Sequence, residues 1–292
     1  MRIIKTMRCR LGLYEKATSS KLTWEKRLAF ARDAGFDYVE MSIDETEERL
    51  SRLMMTHGER LAFLRLGNEI GTSVESFCLS GHRKFPLGSS DPEIRRRAME
   101  IMERAIVLAY DLGVRTIQIA GYDVYYEPST AETKKWFEEN LLKSVETAAE
   151  WGVTLGFETM ETPFLNTVRK CMHYVKRAAS PWLTVYPDSG NMMNAAVSEG
   201  HDVLDDLRSG AGHLSAMHLK ETVPGKFREI PFGTGHVPFV SIISEAEKLG
   251  VRRFTAELWC TDENTWQQAV YHARDFLGGK LEEAERAQKY AQ

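Results

Sequence analysis

The sequence predicts one (β/α)8 barrel, an α/β fold taking in residues 1–292 as a single domain, on three observations. Strand-like and helix-like segments alternate from end to end and make eight successive units. Four apolar runs in the second half each stop at a side chain able to bind a metal: Glu158, Asp188, His218 and Glu257. No Gly-x-Gly-x-x-Gly follows the first strand, where a doubly wound open sheet would carry its phosphate turn.

The first unit pairs the run Leu11–Tyr14 with a helical pattern that starts at Thr23, carries Leu28, Phe30 and Ala31, and stops at Gly35. Tyr38–Ile43 is the second strand. Thr56 and Glu59 then have the spacing of a capping box, each side chain satisfying an end amide of a helix that carries Leu61, Leu64 and Ile70. After the strand Val74–Leu79, Asp91-Pro92 opens a long helix, with aspartate at the cap and proline where a missing N–H costs nothing. Ile94, Ala98, Ile101, Ala105 and Leu108 share one face of it, and Gly113 closes it. Thr116–Gly121 is the fourth strand, and Ser129 with Glu132 predicts a further capping box before a helix reaching Trp151.

Val153–Phe157 runs into Glu158, and a helix begins near Asn166. Leu183–Pro187 runs into Asp188 and a Gly-Asn turn. A short helical stretch, Val203–Arg208, precedes Leu214–Met217 and His218. The loop Glu221–Val237 leads to a helix over Pro238–Leu249, Phe254–Ala256 runs into Glu257, and a last helix starts near Thr265. A parallel strand is buried on both faces, so the first polar residue after an unbroken apolar run marks its carboxyl end.

Bulk properties exclude several classes. A hydrophobic content of 43%, 27% charged residues and a net charge of −4 describe a soluble globular chain and disfavour a nucleic-acid binder. No apolar run approaches the ~18 residues of a membrane helix. Met1–Arg8 is basic without the apolar centre of a signal peptide. Cys9, Cys78, Cys171 and Cys260 have no paired spacing, which fits a reducing cytoplasm.

In a barrel all strands end at one face, so Glu158, Asp188, His218 and Glu257 converge there from four units. Three carboxylates that close repel one another unless a cation or raised pKa values intervene. A three-carboxylate, one-histidine set suits Mn²⁺, Co²⁺, Mg²⁺ or Zn²⁺. Each acid alone could equally cap the helix behind it or pair with a lysine; the shared register of all four favours one divalent ion. His57, His173, His201 and His272 fall in helices or their flanks, and His213 at a strand's beginning; Trp24, Trp136, Trp151 and Trp182 read as packing residues.

These residues resemble a known family. The Glu158 strand, Asp188-Ser189-Gly190-Asn191, His218-Leu219-Lys220-Glu221 and Glu257-Leu258-Trp259 are similar to the metal set of xylose-isomerase-like sugar-epimerase barrels. Leu13–Ala17, Glu40–Thr46, Arg49–Leu53, Cys78–Ser89 and Ala120–Tyr126 resemble bacterial L-ribulose-5-phosphate (L-xylulose-5-phosphate) 3-epimerases of ascorbate utilisation. Related epimerases of free ketoses carry a histidine where this chain has Asn191 and an arginine where it has Pro224.

The resemblance implies 3-epimerisation of a ketopentose phosphate, L-xylulose 5-phosphate to L-ribulose 5-phosphate, through a metal-stabilised enediolate. Glu158 and Glu257 would exchange the proton on opposite faces while Asp188 and His218 complete the metal site. His82, Arg83, Lys84, Lys220, Lys226 and Arg228 are candidates for the phosphate, and Glu161 and Asn191 for substrate hydroxyls. The expected partner is a small phosphorylated ketose, with no nucleic acid or membrane; a homodimer is left open. Two other readings share the site: an aldose–ketose (hexulose phosphate) isomerase exchanging a carbon-1 proton, and a non-catalytic sugar-phosphate sensor. A metal-dependent abasic-site endonuclease would need more histidine ligands and a basic surface.

Overall fold

The computed structural model describes residues 9–290; Met1–Arg8, with the expectation about a leader, and residues 291–292 lie outside the described residues. The strands are β1 (Arg10–Tyr14), β2 (Tyr38–Ser42), β3 (Val74–Leu79), β4 (Thr116–Ala120), β5 (Thr154–Glu158), β6 (Leu183–Val185), β7 (Met217–Leu219) and β8 (Arg253–Ala256). The helices are α1 (Trp24–Asp33), α2 (Glu47–Leu50), α3 (His57–Ile70), α4 (Pro92–Asp111), α5 (Ala131–Trp151), α6 (Val168–Ala178), α7 (Ser189–Glu199), α8 (Val203–Arg208), α9 (Phe239–Lys248) and α10 (Trp266–Tyr290). The strands pair in parallel in the order β6-β5-β4-β3-β2-β1-β8-β7. Parallel bridges Val185↔Leu214 and Asp188↔His218 join the two ends and close the barrel.

The strands are buried on both faces: Leu13, Val39, Phe77, Ile117, Leu155 and Phe254 on one, and Glu40, Gln118 and Thr255 on the other, have no exposure. Helix starts follow their caps. The Thr23 hydroxyl accepts from the Lys26 amide, Thr56 and Glu59 form the expected box, and Asp91 caps α4 with Pro92 in its first turn.

Three local expectations shift. The capping box of α5 is Thr130 with Thr133, one residue later than Ser129 and Glu132, because the Ser129 hydroxyl donates to Asp123 Oδ2 at 2.8 Å. The Gly-Asn turn after Asp188 is the first turn of α7. Gly190 serves close approach, since a Cβ there would lie 2.5 Å from Thr222 Cγ2 and 3.0 Å from the Lys220 carbonyl oxygen. On β7 the ladder begins at Met217, so His218 sits in mid-strand, and Leu214 makes only its bridge. Among the described residues no helix is long and apolar enough to cross a membrane, and all four cysteines are free.

At the end of β1, Glu15 is fully buried and anchors the neighbouring loops. Arg52 donates to its two oxygens at 2.6 and 2.7 Å, the Ser42 amide donates at 2.7 Å, and Arg49 and Arg27 stand at 3.6 and 4.0 Å. Glu15→Ala would leave buried Arg27 and half-buried Arg52 without this counter-charge, while Arg49 keeps Asp44 at 3.6 Å. We expect it to cost about 3–5 kcal/mol in urea unfolding. A loss within about 0.5 kcal/mol, ordinary for a surface change, would show that the arginines do not depend on it.

Candidate active site

Strand ends place the site. Asp188 follows β6, Glu257 follows β8, Glu158 ends β5 and His218 lies in β7. One ligand atom from each of Glu158, Asp188, His218 and Glu257 lies within 4.8 Å of all the others, and all four residues are buried. His218 Nδ1 stands 3.4 Å from Glu158 Oε1 and 3.7 Å from Glu257 Oε2.

Asp188 caps a helix and still keeps one oxygen free for the cluster. Its Oδ1 accepts from the Asn191 amide at 2.6 Å, capping α7, and lies 3.3 Å from Lys220 Nζ. Its Oδ2 is buried with no hydrogen-bond partner. Glu257 Oε2 is also buried without one: Lys220 Nζ stands 3.2 Å away but lacks hydrogen-bond alignment. A buried carboxylate oxygen without a donor is costly, and two beside a histidine nitrogen make a donor set that fits a divalent cation.

Electrostatics before any ion binds is uneven. Burial, then the neighbouring Glu257, raises Glu158 above the usual carboxylate range. Burial raises Asp188 to about 8 despite Lys220. Burial would raise Glu257 too, but Lys220 and His218 outweigh it and hold it at about 2. Burial disfavours charged His218, yet Glu40 and Glu257 overcome this and raise its pKa well above the ordinary value. Two acids with opposed shifts over one pocket are a pattern of acid–base sites.

Glu158 and Glu257 lie in the lining of a pocket of about 460 Å³, counting its open mouth, with Asp188 and His218 fully buried behind them; the rest of the lining includes Tyr14, Lys16, Arg83, Glu161, Asn191, Lys220, Arg228 and Trp259. A larger cleft of about 670 Å³ lies between residues 233–241 and Phe276. Its one carboxylate, Glu221, already accepts from the amides of Thr222, Gly233 and Val237, so that cleft offers no unengaged acid.

The substrate candidates separate. Arg83 lies in the pocket wall, its guanidinium 4.8 Å from the Tyr125 ring centroid and its buried Nε without a partner. His82 is turned into the protein, its Nε2 3.1 Å from the Ala98 carbonyl, and burial pushes its pKa down to about 4. Lys84 lines a neighbouring groove with Tyr126 and Glu127. Lys226 is exposed and absent from the pocket wall. Arg228 pairs with Glu161 at 3.4 Å, and Asn191 keeps a buried Oδ1 free while its amide nitrogen donates to the Thr159 carbonyl. Lys220 stands against the acids themselves, 3.3 Å from Asp188 and 3.2 Å from Glu257.

Two contributors carried no site role in the sequence reading. Gln118, inside β4, donates to Glu158 Oε2, and Glu40, inside β2, meets His218 Nε2 at 2.6 Å. The signal available was a polar residue interrupting an apolar parallel strand.

Comparison with known proteins agrees with this geometry. A family described as xylose isomerase-like TIM barrel matches residues 28–277. A protein of Escherichia coli, provisionally named an L-ribulose-5-phosphate 3-epimerase, is 44% identical over 94% of this chain and 97% of its own. The L-ribulose-5-phosphate 3-epimerase of Shigella boydii is 42% identical over 94% of this chain and 95% of its own. A solved L-ribulose 3-epimerase superposes with a TM-score of 0.77 at 23% identity, covering 97% of this chain and 98% of that one, and so shares the fold. The chain belongs to the xylose isomerase-like TIM barrel family, in the branch of the L-ribulose-5-phosphate 3-epimerases.

Proposed function

We propose that this chain interconverts L-xylulose 5-phosphate and L-ribulose 5-phosphate by inverting carbon 3, in pentose and ascorbate catabolism. The observation that carries the reading is the pair Glu158 and Glu257, both buried in the pocket lining and both within 3.7 Å of His218 Nδ1. Glu158, Asp188, His218 and Glu257 would hold one divalent ion, Zn²⁺, Mn²⁺, Co²⁺ or Mg²⁺. When bound, such an ion supplies Lewis-acid polarisation of the ketone, which acidifies the neighbouring carbon.

The protein's own groups then divide the work. One glutamate takes the carbon-3 proton from one face, leaving a planar enediolate, and the other returns a proton to the opposite face. Gln118 holds Glu158 in place, and the Lys220 ammonium sets positive charge beside the developing oxyanion. Asn191 Oδ1 is available to a substrate hydroxyl. For the phosphate, Arg83 is the strongest anchor. Lys16, Lys220 and Arg228 each pair with a carboxylate, whereas among the described residues none pairs with Arg83.

Two outcomes test this reading. In D₂O, with metal-replete protein and either epimer, NMR should show deuterium entering at carbon 3 as the sugar inverts. Glu158→Gln and Glu257→Gln should each lose net epimerisation by about 10²–10⁴ or more. Each variant should still wash label into one epimer, and not the same one, because its surviving carboxylate can remove and return a single proton. Label at carbon 1 would make the enzyme an aldose–ketose isomerase; binding without exchange would make it a sensor. Arg83→Ala should raise KM for the phosphorylated ketose roughly 10- to 100-fold, the loss of a charged hydrogen bond. Turnover of the free sugar should stay as it was, and an equal loss for both sugars would show that Arg83 is structural.

A further inference from the structure

The centre of a (β/α)8 barrel is ordinarily filled by layers of branched apolar side chains. Here one layer is polar. Glu40 of β2 is fully buried and meets three donors. Ser76 Oγ of β3 donates to its Oε2 at 2.7 Å, and the Tyr186 hydroxyl donates to the same oxygen at 2.9 Å. His218 Nε2 lies 2.6 Å from its Oε1. The support extends outward: Tyr186 is within 2.8 Å of Thr255 Oγ1, which is within 3.0 Å of the Tyr38 hydroxyl. Side chains from β3, from β7 and from just beyond β6 thus meet on one carboxylate of β2, with Thr255 of β8 a step behind; one of its oxygens is held by Ser76 and Tyr186 and the other is committed to His218.

Burying a carboxylate is expensive unless it is fully bonded. Apolar residues of similar volume would fill this layer at less cost, so stability alone does not account for it. What the arrangement does fix is the imidazole. A carboxylate accepts only, so Nε2 must carry the proton it shares with Glu40. Nδ1 is then the ring nitrogen left for the acid cluster, where it stands 3.4 Å from Glu158 Oε1.

We propose that Glu40 is the positioning residue of the metal centre: it fixes the tautomer and ring orientation of His218, so that Nδ1 is the ligand nitrogen. This rests on the metal site proposed above and deepens it. A histidine ligand held by a second carboxylate is oriented and made a stronger donor, and loss of such a partner typically costs 10–100-fold in metal affinity. Tyr186 and Ser76 act one step further out, by keeping Glu40 Oε2 from turning toward the histidine.

The test uses Zn²⁺ as a diamagnetic probe on the whole chain. Nitrogen-15 NMR of histidine-labelled wild-type protein, with the His218 signals assigned by their loss in His218→Gln, reads the tautomer directly. Zinc should move the Nδ1 signal while Nε2 keeps a slowly exchanging proton. In parallel, competition against a chromophoric chelator should show Glu40→Gln weakening zinc 10–100-fold, with the metal-free melting temperature little changed. Tyr186→Phe, which leaves the carboxylate in place, should weaken zinc by less than Glu40→Gln does. Zinc bound through Nε2, or wild-type affinity in Glu40→Gln, overturns the role of Glu40 while leaving the metal site standing. Zinc binding that moves neither nitrogen of His218 would instead remove His218 from the metal site, and the proposal with it. The tautomer measurement needs no Glu40 variant, so it decides the question even if Glu40→Gln does not fold.

Discussion

Three carboxylates held within reach of one another in a buried pocket repel, and the surrounding structure is arranged to contain that repulsion. Glu158, Asp188 and Glu257 converge because parallel strands must end on one face. Lys220 stands against two of them and His218 against two, yet two carboxylate oxygens still find no donor. Adding Glu40 behind the histidine makes the local excess of negative charge larger. A divalent cation answers this imbalance. The same cation would suit the chemistry, since a carbon beside a ketone gives up its proton only when charge on oxygen is stabilised.

Much of the barrel was legible because burial on both faces leaves a plain mark in sequence. Val153–Phe157 and Leu183–Pro187 are largely apolar runs, and the acid that follows each one belongs to the buried cluster. Asp188 shows where such a reading is too simple. Capping a helix and binding a cation looked like alternatives, but a carboxylate has two oxygens, and this one caps α7 with one and leaves the other free. Gly190 likewise read as a turn residue, whereas its missing Cβ admits Thr222.

What stayed illegible depends on contacts across the barrel. Nothing near Glu40 in the chain says that it will meet His218 from the other side of the sheet, although an acid inside an apolar strand asks for a partner. The triplet His82-Arg83-Lys84 read as one basic patch. It lies at a single 3₁₀ turn, Ser80–Arg83, and its end, so the side chains part: His82 turns into the core, Arg83 lines both the pocket and a neighbouring groove, and Lys84 lines the groove. The loop cation Lys226 is outside the pocket wall for a similar reason, because its backbone pairs with Val223 in a tight turn and its side chain stays exposed.

The central claim is that the four clustered residues share one ion, and anomalous diffraction tests it most directly. Crystals grown with Mn²⁺ and measured above and below its absorption edge should show a single strong peak per chain, bounded by Glu158, Asp188, His218 and Glu257. A peak elsewhere, or none between these side chains at saturating Mn²⁺, would contradict the account.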